Sequence, residues 1–126
     1  MISTAQFGLL ILLSLLLLLH FIILFKIIPY NIIWGGRLKS NNDMYRFEIF
    51  SVLINSLFIF VILTQAGFLK INIPMKIITY ALWVMAGLFL LNTFGNAVSK
   101  NKIERFLFTP LTLLLFLFSF VLAMSN

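Results

Sequence analysis

The sequence predicts an all-α integral membrane protein: a bundle of four transmembrane helices forming one membrane domain over residues 1–126. Three observations lead there. Hydrophobic residues make up 63% of the chain and charged residues only 10%, whereas a soluble domain carries about 25% charged residues. Such a chain cannot cover a water-facing surface. The apolar residues also gather into four long runs, each near the ~20 residues that cross a bilayer core of ~30 Å. Finally, the basic residues fall between these runs and are divided very unevenly.

The first run is residues 7–28 (FGLLILLSLLLLLHFIILFKII), stopped by Pro29, which cannot extend a helix cleanly. A cleaved signal peptide would have a basic leader and a shorter apolar stretch. Residues 1–6, MISTAQ, carry no basic side chain, so this run is expected to be a retained span. The remaining spans are expected at 47–68, 77–98 and 106–124. Inside lipid the backbone must satisfy its own hydrogen bonds, which makes each run a helix.

The segments between spans set the orientation. Residues 29–46 and 99–105, with their edges, hold Lys26, Arg37, Lys39, Arg46, Lys100, Lys102 and Arg105. The intervening segment holds only Lys70 and Lys76. Basic residues concentrate on the cytoplasmic side, so both basic loops are expected there and both termini outside. An antiparallel, dual-topology dimer would lack this asymmetry. In the first loop, Tyr30, Trp34 and Tyr45 are ring types that sit at headgroup level. Gly35-Gly36 permits a tight turn, and Asn42-Asp43 offers a cap for a helix starting near Met44. Arg37, Lys39, Arg46 and Arg105 are the expected contacts to lipid phosphates.

The two basic loops also share an order of features. Asn31–Phe50 (NIIWGGRLKSNNDMYRFEIF) and Asn92–Phe108 (NTFGNAVSKNKIERFLF) both run Asn, Gly, a Lys/Ser/Asn cluster, an acidic residue and Arg-Phe before an apolar run. This suggests two helical hairpins in parallel repeat, a pattern known among membrane proteins. Any cytoplasmic hairpin loop of similar composition would look much the same.

Polar side chains within spans are costly and face protein or a water-filled cavity. His20, Asn55, Asn92 and Thr112 lie roughly 9–12 Å from the cytoplasmic ends of their spans at ~1.5 Å per residue. One polar group per helix therefore falls at one depth. Glu48, Ser51 and Asn55 share a face of the second span, and Asn92, Asn96 and Ser99 share a face of the third. Together His20, Glu48, Ser51, Asn55, Asn92, Asn96 and Thr112 form the candidate polar cleft, open to the cytoplasm. Asn, Ser and Thr also join membrane helices by hydrogen bonding alone, so the same pattern equally describes interhelical adhesion. The small residues Ala81, Ala86, Gly87 and Gly95 of the third span suit close helix approach. The Leu/Phe run 113–118 suits lipid or a partner.

Several functions are disfavoured. Chemistry that needs a cysteine, disulfides included, is excluded by the absence of cysteine. No metalloprotease, nucleophile-elbow or phosphate-loop motif occurs, so the reading leans away from an enzyme. Acid–base chemistry would have to use His20, Asp43, Glu48 or Glu104. No metal site is expected, and no cofactor: one internal histidine cannot ligate haem from both sides. The net charge of +6 is explained by span-flanking residues rather than by nucleic acid. The leading expectation is an accessory, assembly or lipid-associated component of a bacterial inner membrane. It would contact lipids and act as an oligomer or within a larger membrane complex. The alternative is an oligomeric small-solute transporter or channel.

Overall fold

In the computed structural model the described residues are 2–25 and 41–125, with side chains of the second helix described from residue 45 onward. They form four helices, each long and apolar enough to cross a membrane. We number them α1 (Ile2–Leu24), α2 (Asn41–Gln65), α3 (Met75–Ala97) and α4 (Thr109–Ser125), the last entered through a π-helical turn at Glu104–Phe108. The observed helices differ from the expected spans mainly at their ends. Helix α1 begins at Ile2, before Phe7, and α2 begins at Asn41, upstream of the apolar run. The proposed Pro29 stop, the Tyr30–Gly36 turn, Arg37 and Lys39 lie outside the described residues. So do the side chains of Asn42 and Asp43.

Each described helix end has a local cause. Helix α2 ends three residues before the expected Phe68 because Gly67 takes a left-handed conformation at φ +83°. The amide of Phe68 then donates to Leu63 O at 3.0 Å, and that of Gly67 to Thr64 O at 3.2 Å. This paired closure satisfies carbonyls that the helix would otherwise leave bare. Helix α3 starts after Pro74, whose extended ψ of 135° halts the helix upstream. Before α4, Asn101 Oδ1 accepts from the Ile103 and Glu104 amides at 2.9 and 3.3 Å.

The π turn follows from Pro110. Proline has no amide hydrogen, and in a regular helix its ring collides with the carbonyl four residues back, here that of Phe106. The chain widens instead: the Thr109 amide and hydroxyl both reach back five residues to Glu104 O, the hydroxyl at 3.3 Å. The wide turn absorbs about one residue of rotation. Eight residues of ideal helix would set Glu104 about 80° from Thr112. With the turn the offset falls to roughly 20°, and both side chains are buried.

Helix α1 packs against both α2 and α4, and α4 packs against α3, while α2 and α3 make the weakest of the adjacent contacts. The four helices thus form a ring with one loose seam. The core includes Ala5, Leu9 and Leu13 of α1, Phe58 and Ile62 of α2, Leu82, Met85 and Phe89 of α3, and Leu115 and Leu122 of α4. Large apolar side chains such as Phe7, Leu53, Leu91 and Leu113 cover the outside, as a lipid-facing surface requires. The 113–118 run is not one exposed face. Leu113, Leu114 and Leu117 are exposed, Leu115 is in the core, and Phe118 turns toward α1. Within this chain Gly87 and Gly95 do not mediate close approach, since a Cβ at either would meet nothing within 4 Å. Gly8 does. Its Cβ would fall 2.5 Å from the Phe118 ring.

That contact yields a test. Gly8→Val should destabilise the bundle by about 1–3 kcal/mol through overpacking. Gly87→Ala should leave stability unchanged or slightly raised, since alanine favours the helix. Reversible denaturation in mixed micelles would check both. Equal effects would contradict the α1–α4 packing.

Candidate functional site

The polar residues of α1 and α2 meet at the end of the bundle where α2 enters its apolar run. His20 is the sole titratable side chain described on α1. Its Nδ1 lies 2.7 Å from Glu48 Oε2. Glu48 is completely buried, and the His20 side chain is only 13% exposed. A buried carboxylate is tolerated only when paired and hydrogen-bonded, and His20 is the partner that α1 supplies. In the neutral ring, Nδ1–H donates to the carboxylate and leaves the Nε2 lone pair directed elsewhere. In the imidazolium, both nitrogens donate.

A second cluster joins α3 to α4. Thr112 Oγ1 donates to Phe108 O at 2.7 Å. It lies 3.1 Å from Thr93 Oγ1 and accepts from Asn96 Nδ2 at 3.4 Å. The Thr93 hydroxyl also lies 2.7 Å from Phe89 O, so its one proton serves either acceptor at a time. Asn55 is buried but turns back on its own helix, donating to Ser51 O at 2.9 Å.

Between these clusters lies a cleft of about 630 Å³. Its inner wall includes His20, Asn55, Glu104, Phe108 and Thr112. Phe47 and Phe50 of α2 and Leu88, Leu91 and Asn92 of α3 also line it and are exposed, so the cleft opens sideways through the α2/α3 seam. Farther along the same seam a second cavity of about 300 Å³ lies among Leu57, Val61, Ile73, Ile77, Ala81 and Val84. Phe58 lines both cavities. It meets Phe89 across the seam with ring centroids 5.5 Å apart and planes at 71°, an edge-to-face pair standing between the polar cleft and the apolar one.

His20, Ser51, Asn55, Asn92, Asn96 and Thr112 all line the larger cleft, and Glu48 stands behind His20. Burial differs from expectation on α3. Asn92 is exposed on the rim and makes no hydrogen bond to another described residue, while its neighbour Thr93 turns into the bundle. Ser99 lies off the cleft and accepts from the Asn101 amide at 3.1 Å. Arg46 and Arg105 are exposed at this end, with the Arg105 guanidinium 4.9 Å from the Phe106 ring centre.

Sequence reasoning missed several members. Glu104 belongs to the cleft wall and is buried; Pro110 was the available signal, since it forces the turn that brings Glu104 round. Thr93 was overlooked beside the more polar Asn92. At the opposite end Gln6 Nε2 donates to Gln65 Oε1 at 2.7 Å, tying α1 to α2 a second time. Ser119 Oγ is fully buried without a hydrogen-bond partner among the described residues; no sequence signal marks it. No group of three potential metal ligands occurs among the described residues.

Comparisons with protein-family models, curated proteins and solved structures find no match for this chain. The chemistry of the site is therefore the guide to function.

The His20–Glu48 contact is open to a double-mutant cycle. His20→Ala and Glu48→Gln should each destabilise the bundle, and the double variant should cost less than the sum by about 0.5–3 kcal/mol. Strict additivity in the same denaturation measurement would mean that the two side chains do not interact.

Proposed function

We propose that this chain is a lipid-associated accessory component of a bacterial inner membrane, and that its α2/α3 seam receives a membrane lipid from the side. The supporting observation is the seam itself. It is the loosest contact in the ring, and it carries end to end a larger cleft with polar side chains set among apolar ones and a smaller cleft lined by apolar residues. That order of polar and apolar surfaces matches the order within a lipid. Lys/Arg asymmetry supports an orientation with the polar end and both basic loops in the cytoplasm and the termini outside. Arg46 and Arg105 then stand at headgroup level, where cations meet anionic lipid. Further copies or a larger complex would cover part of the apolar outer surface.

An oligomeric small-solute transporter is the second reading, favoured by the polar cleft. A permeation path needs polar lining along its length. Within one chain the polar lining stops at Phe58–Phe89, and apolar residues line the cavity beyond. A transporter would therefore need a lumen shared between copies.

Native mass measurement of gently extracted protein separates the two readings. A constant lipid adduct is expected, and Ala81→Phe, which fills the outer cavity, should reduce it without lowering thermal stability. A lipid-free homo-oligomer of fixed number would favour the transporter. Sidedness has its own check. A cysteine replacing Lys100 should be labelled by an impermeant maleimide only after the membrane is opened, and labelling in intact cells would reverse the assigned topology.

A further inference from the structure

Resting on the lipid-seam reading and going beyond its single lipid, we propose that the smaller cavity is a second lipid site. It is filled from the leaflet opposite the polar end by an acyl chain of a net-anionic phospholipid, whose phosphate meets Lys70 and Lys76.

Position comes first. Phe58 lies eleven residues from Phe47, where the apolar run of α2 begins, and Phe89 lies eight residues from Ala97, where α3 ends. At ~1.5 Å per residue these separations are about 12–17 Å, close to half of a bilayer core of ~30 Å. The Phe58–Phe89 pair therefore stands near the midplane, with one cavity on each side of it. A lipid whose head sits at the polar end reaches the smaller cavity only with the tips of its chains. A lipid of the other leaflet meets that cavity directly.

The lining fixes what enters. Every residue lining the smaller cavity is aliphatic or aromatic. Leu57, Ile77 and Val84 on its wall are also exposed, so it opens sideways toward lipid. A groove without a polar group offers a head group nothing and is filled by hydrocarbon.

Charge decides the head. The segment joining α2 to α3 contributes Ile73 to the cavity wall. It is folded back on α2, since the Phe68 and Leu69 amides both donate to Leu63 O, at 3.0 and 3.3 Å. Lys70 and Lys76 stand three residues on either side of Ile73, and Ile77, next to Lys76, lines the wall too. Both lysines are exposed, and neither forms an ion pair with another described residue. Lys76 Nζ lies 5.9 Å from the ring centre of Tyr80, one turn farther along α3. Its ammonium thus stays beside the helix that builds the cavity. The three acidic residues of the chain, Asp43, Glu48 and Glu104, fall at the start of α2 or just before α4, which is the opposite end. Two ammonium groups flanking an apolar groove match a phosphate above an acyl chain. A net negative head is favoured over a zwitterion, whose own ammonium is repelled.

The test is native mass spectrometry of the full chain from nanodiscs holding equal amounts of phosphatidylglycerol and phosphatidylcholine with identical acyl chains. A phosphatidylglycerol with a diazirine on one chain maps the contact. Expected are retention of phosphatidylglycerol over phosphatidylcholine and labels on residues 57–61 and 73–84. Lys70→Gln with Lys76→Gln should lower the preference by about fivefold per lysine, with an unchanged melting curve. Ala81→Phe should remove the label, and Val84→Trp, at the exposed rim, serves instead if that variant does not fold. Equal retention of the two lipids by the parent protein would overturn the anionic head. A preference that survives the lysine changes but falls with Arg46→Gln and Arg105→Gln would move the lipid to the polar end, overturning this site while leaving the lipid seam standing. Labelling indifferent to the cavity-filling variants would overturn the cavity as the place of the chain. Label spread evenly over the outer surface would remove the seam and the second site together.

Discussion

A carboxylate cannot be left by itself among hydrocarbon side chains, and Glu48 has no exposed surface at all. Its bond to His20 therefore does more than add one contact. It sets the height of α1 against α2, because sliding either helix by one turn, about 5.4 Å, would part the two groups. Gln6 and Gln65 repeat the constraint at the other end of the same pair. Between these polar clasps the interface is apolar, and Leu9 and Leu13 pack without directional preference. Two hydrogen bonds thus specify a register that packing alone would leave loose.

With α1 committed to α2 on one side and α4 on the other, and α4 committed to α3, little contact remains between α2 and α3. Four helices around a small core can close tightly on all sides only when their side chains fill the centre. Here the centre near His20 is left open, and the aromatic edge of Phe58 against Phe89 is the main bridge over the gap. The α2/α3 seam is thus loose where the α1/α2 clasp is strict.

The number of helices and their approximate limits were legible because hydrophobic length is a bulk property, and a run of twenty apolar residues tolerates small errors. His20, Asn55 and Thr112 do line one cleft, but His20 bonds to Glu48, which lies seven residues, or about 10 Å of helix rise, from Asn55. Rotation was not legible. Asn92 and Thr93 differ by about 100° around α3: Asn92 lines the cleft at its exposed rim, and Thr93 is the one buried in the bundle. Glu104 was hidden by a backbone irregularity that no periodicity of side chains records. Small residues misled in the same way. Gly87 and Gly95 looked like contact points by composition, yet close approach depends on what stands opposite, and among the described glycines only Gly8 has a ring against it.

The wide turn at Glu104–Phe108 also couples chain length to residue identity. Removing one residue there would restore a regular helix and keep Glu104 and Thr112 on one face, so by itself the deletion is geometrically mild. Pro110 would then sit inside an unbroken helix with its ring against the carbonyl four positions earlier. Shortening is therefore accommodated only if the proline is replaced as well, and replacing the proline alone removes the reason for the extra residue. A variant one residue shorter and lacking this proline would keep the architecture. A variant with only one of the two changes would carry a local conflict at the cleft wall.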